Sequence, residues 1–189
     1  MKETSDSKAT ELLAEAAAWR LASLLLERPR GAWKSDIKKL SSEVTHPPLL
    51  SCAKVSGHGT EENYHRLFGP GGTLSPREVS YCDFEDPGRL MAELSSFYDA
   101  FSFHPRREEP VDHISVETGF VGYLFLKEAF AEMRGDSESA EITRNARTRF
   151  TQEHIARCAR GMIGRPVNMH PYIRKVLSWL AEKGKPQRP

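Results

Sequence analysis

A chain of 189 residues, 39% of them hydrophobic and 28% charged, with a mean hydropathy of -0.54, buries roughly 70% of its unfolded surface. It is too polar for a membrane-embedded protein and too apolar for a disordered one; its longest apolar run, "GFVGYLFL", cannot cross a bilayer. The net charge of +1 hides a polarised chain: from Glu141 onward 11 Lys/Arg stand against 3 Asp/Glu, while Glu61 to Glu117 holds 12 acidic residues and 5 arginines, a segment that attracts a cationic partner.

The opening "MKETSDSKATELLAEAAAW" lacks the basic start, long apolar stretch and cleavage site of an export signal. Cys52, Cys82 and Cys158 are odd in number and far apart, so neither a disulfide framework nor a CxxC site is written. A cytoplasmic protein is expected.

The first helix covers "ATELLAEAAAWRLASLLLER", with Leu12, Leu13, Ala16, Ala17, Leu21, Leu24 and Leu25 on one apolar face, and ends at Arg28-Pro29-Arg30-Gly31. A short helix follows Ser35, and another runs from about Leu49 to Val55 after His46-Pro47-Pro48. Thr60 caps "EENYHRLF", "GPGGTLSP" forms a loop, and Asp86-Pro87 opens a helix whose stripe is Leu90, Met91, Leu94, Phe97, Tyr98 and Phe101. "SFHPRREEP" leads into a long apolar helix in which Phe120 to Leu126 is buried, with Asp112 as its N-cap and Gly135 as its stop. A basic helix covers about Ala140 to Arg160, and the last runs from Pro171 to Lys183, with Gly184 closing it. With no sustained alternation and no internal repeat, the expectation is one all-α domain, 1–189.

"FGPGG" has neither the Walker spacing nor a strand-to-helix GxGxxG context, so it reads as a turn. No two of the seven histidines are spaced i, i+3 or i, i+4, so no metal site, catalytic residue or cofactor is expected. Asp112 and His113 adjoin, and residues i and i+1 on a helix do not face each other, which disfavours a catalytic dyad. Ser115, Gly119 and Gly122 form a small-residue stripe, suited to close helix packing or to a groove floor for a peptide. Arg144, Arg147, Arg149, Arg157 and Arg160 make either a surface on which the acidic half docks or a nucleic-acid stripe, the former favoured.

Three motifs carry a resemblance. "EEPVDHISVETGF", with Glu109, Pro110, Asp112, His113, Ile114, Glu117 and Phe120, is similar to the signature of the TorD/DmsD/NarJ family of redox-enzyme maturation chaperones; "YHRLFGPGGTLSPREVSY" and "RFTQEHIARC" resemble that family's flanking segments, in the same order. The resemblance implies an all-helical, non-enzymatic protein of the TorD-like type, with lobes at about 1–104 and 114–184 joined by a hinge at about 105–113. It also implies binding of the precursor of a molybdenum-cofactor oxidoreductase, at its twin-arginine signal peptide or its apo catalytic subunit, while the cofactor is inserted. Site residues implied for the client peptide are Glu109, Pro110, Asp112, His113, Tyr64, Phe68 and Tyr81. No nucleic acid and no stable membrane insertion are expected, and monomer or homodimer stays open. The internal Arg106-Arg107, followed by acids, does not read as such a signal. A helical nucleic-acid-binding or regulatory module, and less a small hydrolase or nucleotide-binding protein, are the alternatives.

Overall fold

The computed structural model describes residues 2–82, 86–105 and 108–185. Among these the chain forms α1 (Lys2–Leu26), α2 (Trp33–Ser41), α3 (Pro47–Val55), α4 (Glu61–Phe68), α5 (Pro87–Ala100), α6 (Ile114–Arg134), α7 (Ser137–Phe150), α8 (Ala156–Ile163) and α9 (Pro171–Lys183). The described residues contain no strand, only one isolated antiparallel bridge between Arg77 and His113. The protein is all-α, and none of its described helices is long and apolar enough to cross a membrane.

The helix ends follow their local chemistry. Thr60 accepts the Asn63 N–H at 3.2 Å and Asp86 the Gly88 N–H at 2.8 Å, each satisfying an orphan donor of the first turn. Gly135, at φ 70°, takes the left-handed turn that lets its N–H reach the last carbonyls of α6. One cap differs from expectation: His113, not Asp112, caps α6, its Nδ1 accepting the Ser115 N–H at 3.1 Å. The Asp112 carboxylate is turned away toward Arg77 and cannot also reach the helix start.

α1 packs antiparallel along α6, the start of one beside the end of the other, as the Lys8–Glu132 ion pair and the Ser23 hydroxyl bond to the Ser115 carbonyl show. The small-residue stripe makes this possible. A Cβ on Gly122 would lie 3.3 Å from the Arg20 nitrogen and 3.4 Å from the Ala16 carbonyl oxygen, both backbone atoms that cannot swing aside. Gly122→Leu is therefore expected to cost about 1–3 kcal/mol through overpacking, in spite of leucine's better helix propensity, seen as a lower urea midpoint.

Around this pair one core runs from Leu12 to Ala181, with α7 on α6 and α9 closing over α3 and α8. Phe120 is its hub, its ring 4.8 Å from both Tyr98 and Phe150. Two expected core residues lie outside it: Leu13 is 43% and Leu126 48% exposed. Both border a surface hollow of ≈ 680 Å³ with the exposed Phe130, Met133 and Ile142.

α7 and α8 are one path interrupted by a π-helical turn at Thr151–Ile155. Its arginines are largely spent on the acidic half of the chain. Arg144 and Arg147 pair with the buried Glu128, Arg149 with Glu93, and Arg157 with Glu78. The docking-surface reading of the basic helix is the one the packing follows.

Candidate functional site

The three sequence motifs meet at the start of α6. The Arg77–His113 bridge, with Glu78 N–H donating to the Asp112 carbonyl at 2.9 Å and Ile114 N–H to the Pro76 carbonyl at 2.9 Å, lashes the 76–78 segment to the entry of the helix. Asp112, fully buried, accepts two bonds from Arg77 Nε at 2.8 and 3.1 Å. His113 turns elsewhere: Nδ1 accepts from Ser115, and Nε2 lies 3.0 Å from the Tyr64 hydroxyl and 3.8 Å from Glu109 Oε2. With Nδ1 accepting, the ring proton belongs on Nε2. Burial, aided by the charge of Arg77, lowers the His113 pKa to about 4, so the ring is neutral at physiological pH.

Behind Asp112 lies a second buried set. Glu78, at 0% exposure, accepts from His154 Nδ1 at 3.1 Å and from Arg157 at 2.8 Å. Glu117 is also fully buried, its carboxyl beside that of Glu78, to which the protonated acid can donate, and with no cationic or backbone partner. Burial first, then the charges of Glu78 and Asp112, push the Glu117 carboxyl well above the usual carboxylate range, so the fold favours the neutral acid. Glu78, Asp112, Glu117 and His154 come from all three motifs, and their shared location is a polar knot inside the protein.

The residues implied for client contact are distributed unevenly. Tyr64 and Phe68, rings 5.3 Å apart, are buried with His113. Tyr81 lies apart, its hydroxyl donating to the Ser75 carbonyl at 2.6 Å and its ring against Gly161 of α8. Pro110 is exposed, and Glu109 is half-buried. Of the seven, Glu109 alone borders the main groove of the surface. Asp112 and His113 touch nothing outside the protein without a rearrangement.

That groove, ≈ 830 Å³, runs along the α1–α6 seam. Its floor includes Ser115, Gly119 and Gly122, its walls Trp33, Phe103 and Tyr123, and its charged lining both Glu27, Glu108 and Glu109 and the arginines Arg20, Arg28 and Arg30, of which Arg28 pairs with Glu61. Arg20 pairs with Glu27 and Arg30 with Glu108. No arginine among the described residues bonds Glu109, whose pKa is raised by burial; the internal Arg106-Arg107 lies outside the described residues. Leu126 borders both this groove and the apolar hollow beyond it, so the two form one track along a single stripe of α6. From Ser115 to Met133 that stripe spans about 27 Å at 1.5 Å per residue.

Sequence reasoning placed the motif residues but missed Glu78, His154, Arg77 and Arg157 as their partners, and missed the α1 wall of the groove. No local signal in α1 marks Arg20 or Glu27. No curated protein and no solved structure matches the chain. The family described as "Nitrate reductase delta subunit" matches residues 32–161, a span that contains the 76–81 segment, the whole start of α6 and the His154 turn. The chain therefore belongs to the nitrate reductase delta subunit family, the NarJ/TorD type of chaperones that serve the maturation of molybdoenzymes.

Proposed function

We propose that this protein is a cytoplasmic, non-catalytic chaperone that binds the precursor of a molybdenum-cofactor oxidoreductase, at its twin-arginine signal peptide or apo catalytic subunit, and holds it for cofactor insertion. The observation that carries the reading is the α1–α6 groove, with a half-buried carboxylate at one end and an exposed apolar hollow at the other. A client segment that begins with arginines and continues apolar has the matching order: a guanidinium for Glu109, and greasy side chains for Tyr123, Leu126 and Phe130. The Arg20–Glu27 and Arg30–Glu108 pairs are surface pairs of little net value, so an incoming arginine can exchange with them. Asp112 and His113 act here as the fixed rim. They set the start of α6, and through Tyr64 and Glu109 the edge of the groove, while the linker at 105–113 serves as the hinge between the portions 1–104 and 114–184.

The nucleic-acid alternative finds less support, because Arg144, Arg147, Arg149 and Arg157 are each paired with a carboxylate of the same chain. Affinity capture with the full chain in its native host, followed by mass spectrometry, tests the proposal. The expected result is enrichment of a molybdoenzyme catalytic subunit in its precursor or cofactor-free form; recovery of nucleic acid with no such subunit contradicts it.

A further inference from the structure

The geometry points to a divalent-cation site of the zinc class on the outer side of the polar knot, made by His154 with Glu93 of α5 and Glu153 of the π-helical turn. The ligand atoms of these three residues lie within 4.8 Å of one another. Two acids on a surface are common and would not suffice. The distinguishing group is His154: its ring is 1% exposed, its Nε2 is buried without a hydrogen-bond partner, and that nitrogen faces Glu93 Oε1 at 4.0 Å.

The other ring nitrogen is held. Nδ1 lies 3.1 and 3.2 Å from the two Glu78 carboxylate oxygens, the carboxylate–histidine arrangement that keeps the proton on one nitrogen and aims the lone pair of the other at a metal. Phe97 and Phe150 pack on the ring and prevent it from turning. With its proton on Nδ1, His154 presents an unpartnered lone pair at Nε2 toward the Glu93 carboxylate, an arrangement that a cation between them would satisfy. One nitrogen and two carboxylates suit Zn²⁺, with water completing a tetrahedron, better than Mg²⁺, which prefers oxygen ligands throughout. Glu93 and Glu153 are partly exposed, at 37% and 50%, so an ion can enter from solvent.

A competitor is already present. Arg149 donates to Glu153 Oε2 at 2.7 Å and to Glu93 Oε1 at 3.3 Å, bridging the two carboxylates where a metal would sit. Its side chain is 59% exposed, and such exposed pairs have little net value; it swings out to release both acids, as a gate of the site. The i, i+3 and i, i+4 spacings of a helix do not reveal this set, because its ligands come from two elements and two of them are sequence neighbours in a π turn.

The test uses the full chain with any affinity tag removed, titrated with Zn²⁺ and with Mg²⁺, read by calorimetry and by melting temperature, and reversed with a chelator. Zinc is expected to raise the melting temperature of wild type, Glu93→Gln to weaken binding at least about tenfold, Arg149→Gln to tighten it, and magnesium to do nothing. Equal zinc binding by wild type and Glu93→Gln would mean an adventitious ion only, and overturns the site. So does binding that is absent in wild type, whether or not it emerges in Arg149→Gln, since Arg149 is then itself the resident cation; so does an equal response to magnesium. Glu93→Gln lies near the surface, and its melting temperature in chelator verifies that it is folded.

Discussion

Glu117→Gln is expected to stabilise the protein at pH 7 by up to about 3 kcal/mol and to give no gain near pH 4.5. Glu117 is buried beside the charges of Glu78 and Asp112 with no cationic or backbone partner, and its carboxyl is held well above its ordinary range. A group whose pKa is raised on folding contributes fully below its unfolded value of 4.5 and loses that contribution as pH rises. The loss is about 1.4 kcal/mol for each pH unit, until the acid ionises within the fold. Glutamine has the same shape, needs no proton and can donate to Glu78. His113 has the opposite sign: its pKa falls from 6.5 to about 4, so its contribution is present above pH 6.5 and lost as the pH drops toward 4. Both proteins share that loss, so it cancels in their difference. Urea midpoints at pH 7 and 4.5 check the result; a variant no more stable than wild type at pH 7 means that Glu117 has a partner in solution that ionised glutamate satisfies.

The second large effect concerns binding. Glu109→Gln is expected to weaken an arginine-led client peptide roughly 10- to 150-fold, the equivalent of one charge-assisted hydrogen bond of about 1.5–3 kcal/mol. Its own fold is expected to be unharmed, because Glu109 is half-buried, carries no arginine bond among the described residues and has a pKa raised by burial. Asp112→Asn behaves differently. It strips the charge from the buried partner of a pair whose Arg77 side chain is partly exposed, and lowers stability, with its effect on affinity following from the displaced groove edge. Calorimetric titration with melting curves alongside separates the two classes; a Glu109→Gln protein that binds as wild type removes the carboxylate from the account.

The sequence made the helices legible where their causes are local. Thr60, Asp86-Pro87, Gly135 and Gly184 mark helix ends through their own backbone chemistry, and α9 runs from Pro171 to Lys183 as its punctuation implies. What it could not settle is tertiary. Leu13 and Leu126 fit their helical stripes, yet periodicity does not tell where a partner helix stops covering them. The off-by-one cap at the start of α6 has the same origin: Asp112 is the better capping residue in isolation, and Arg77, 35 positions earlier, takes its carboxylate. The acidity of the Glu61–Glu117 segment suggested a surface for cations, whereas Glu78, Asp112 and Glu117 are all buried and serve the interior. The order of the motifs was readable; that their side chains form one knot, with the groove beside it, required the fold.

A client held along the α1–α6 track can be located there by cross-link mapping. A photoreactive residue is placed at Phe103, partly buried in the groove wall, at the exposed Phe130 in the apolar hollow, or at the exposed Val55 on α3, with the melting temperature of each variant verifying its fold. Each protein is then irradiated with the signal-bearing N-terminal peptide of the captured molybdoenzyme subunit. Capture at 103 and 130 but not at 55, with the arginine end of the peptide attached at 103 and its apolar part at 130, is the predicted result. Equal capture at all three, or capture at 55 alone, contradicts the account and moves the binding site off the α1–α6 seam.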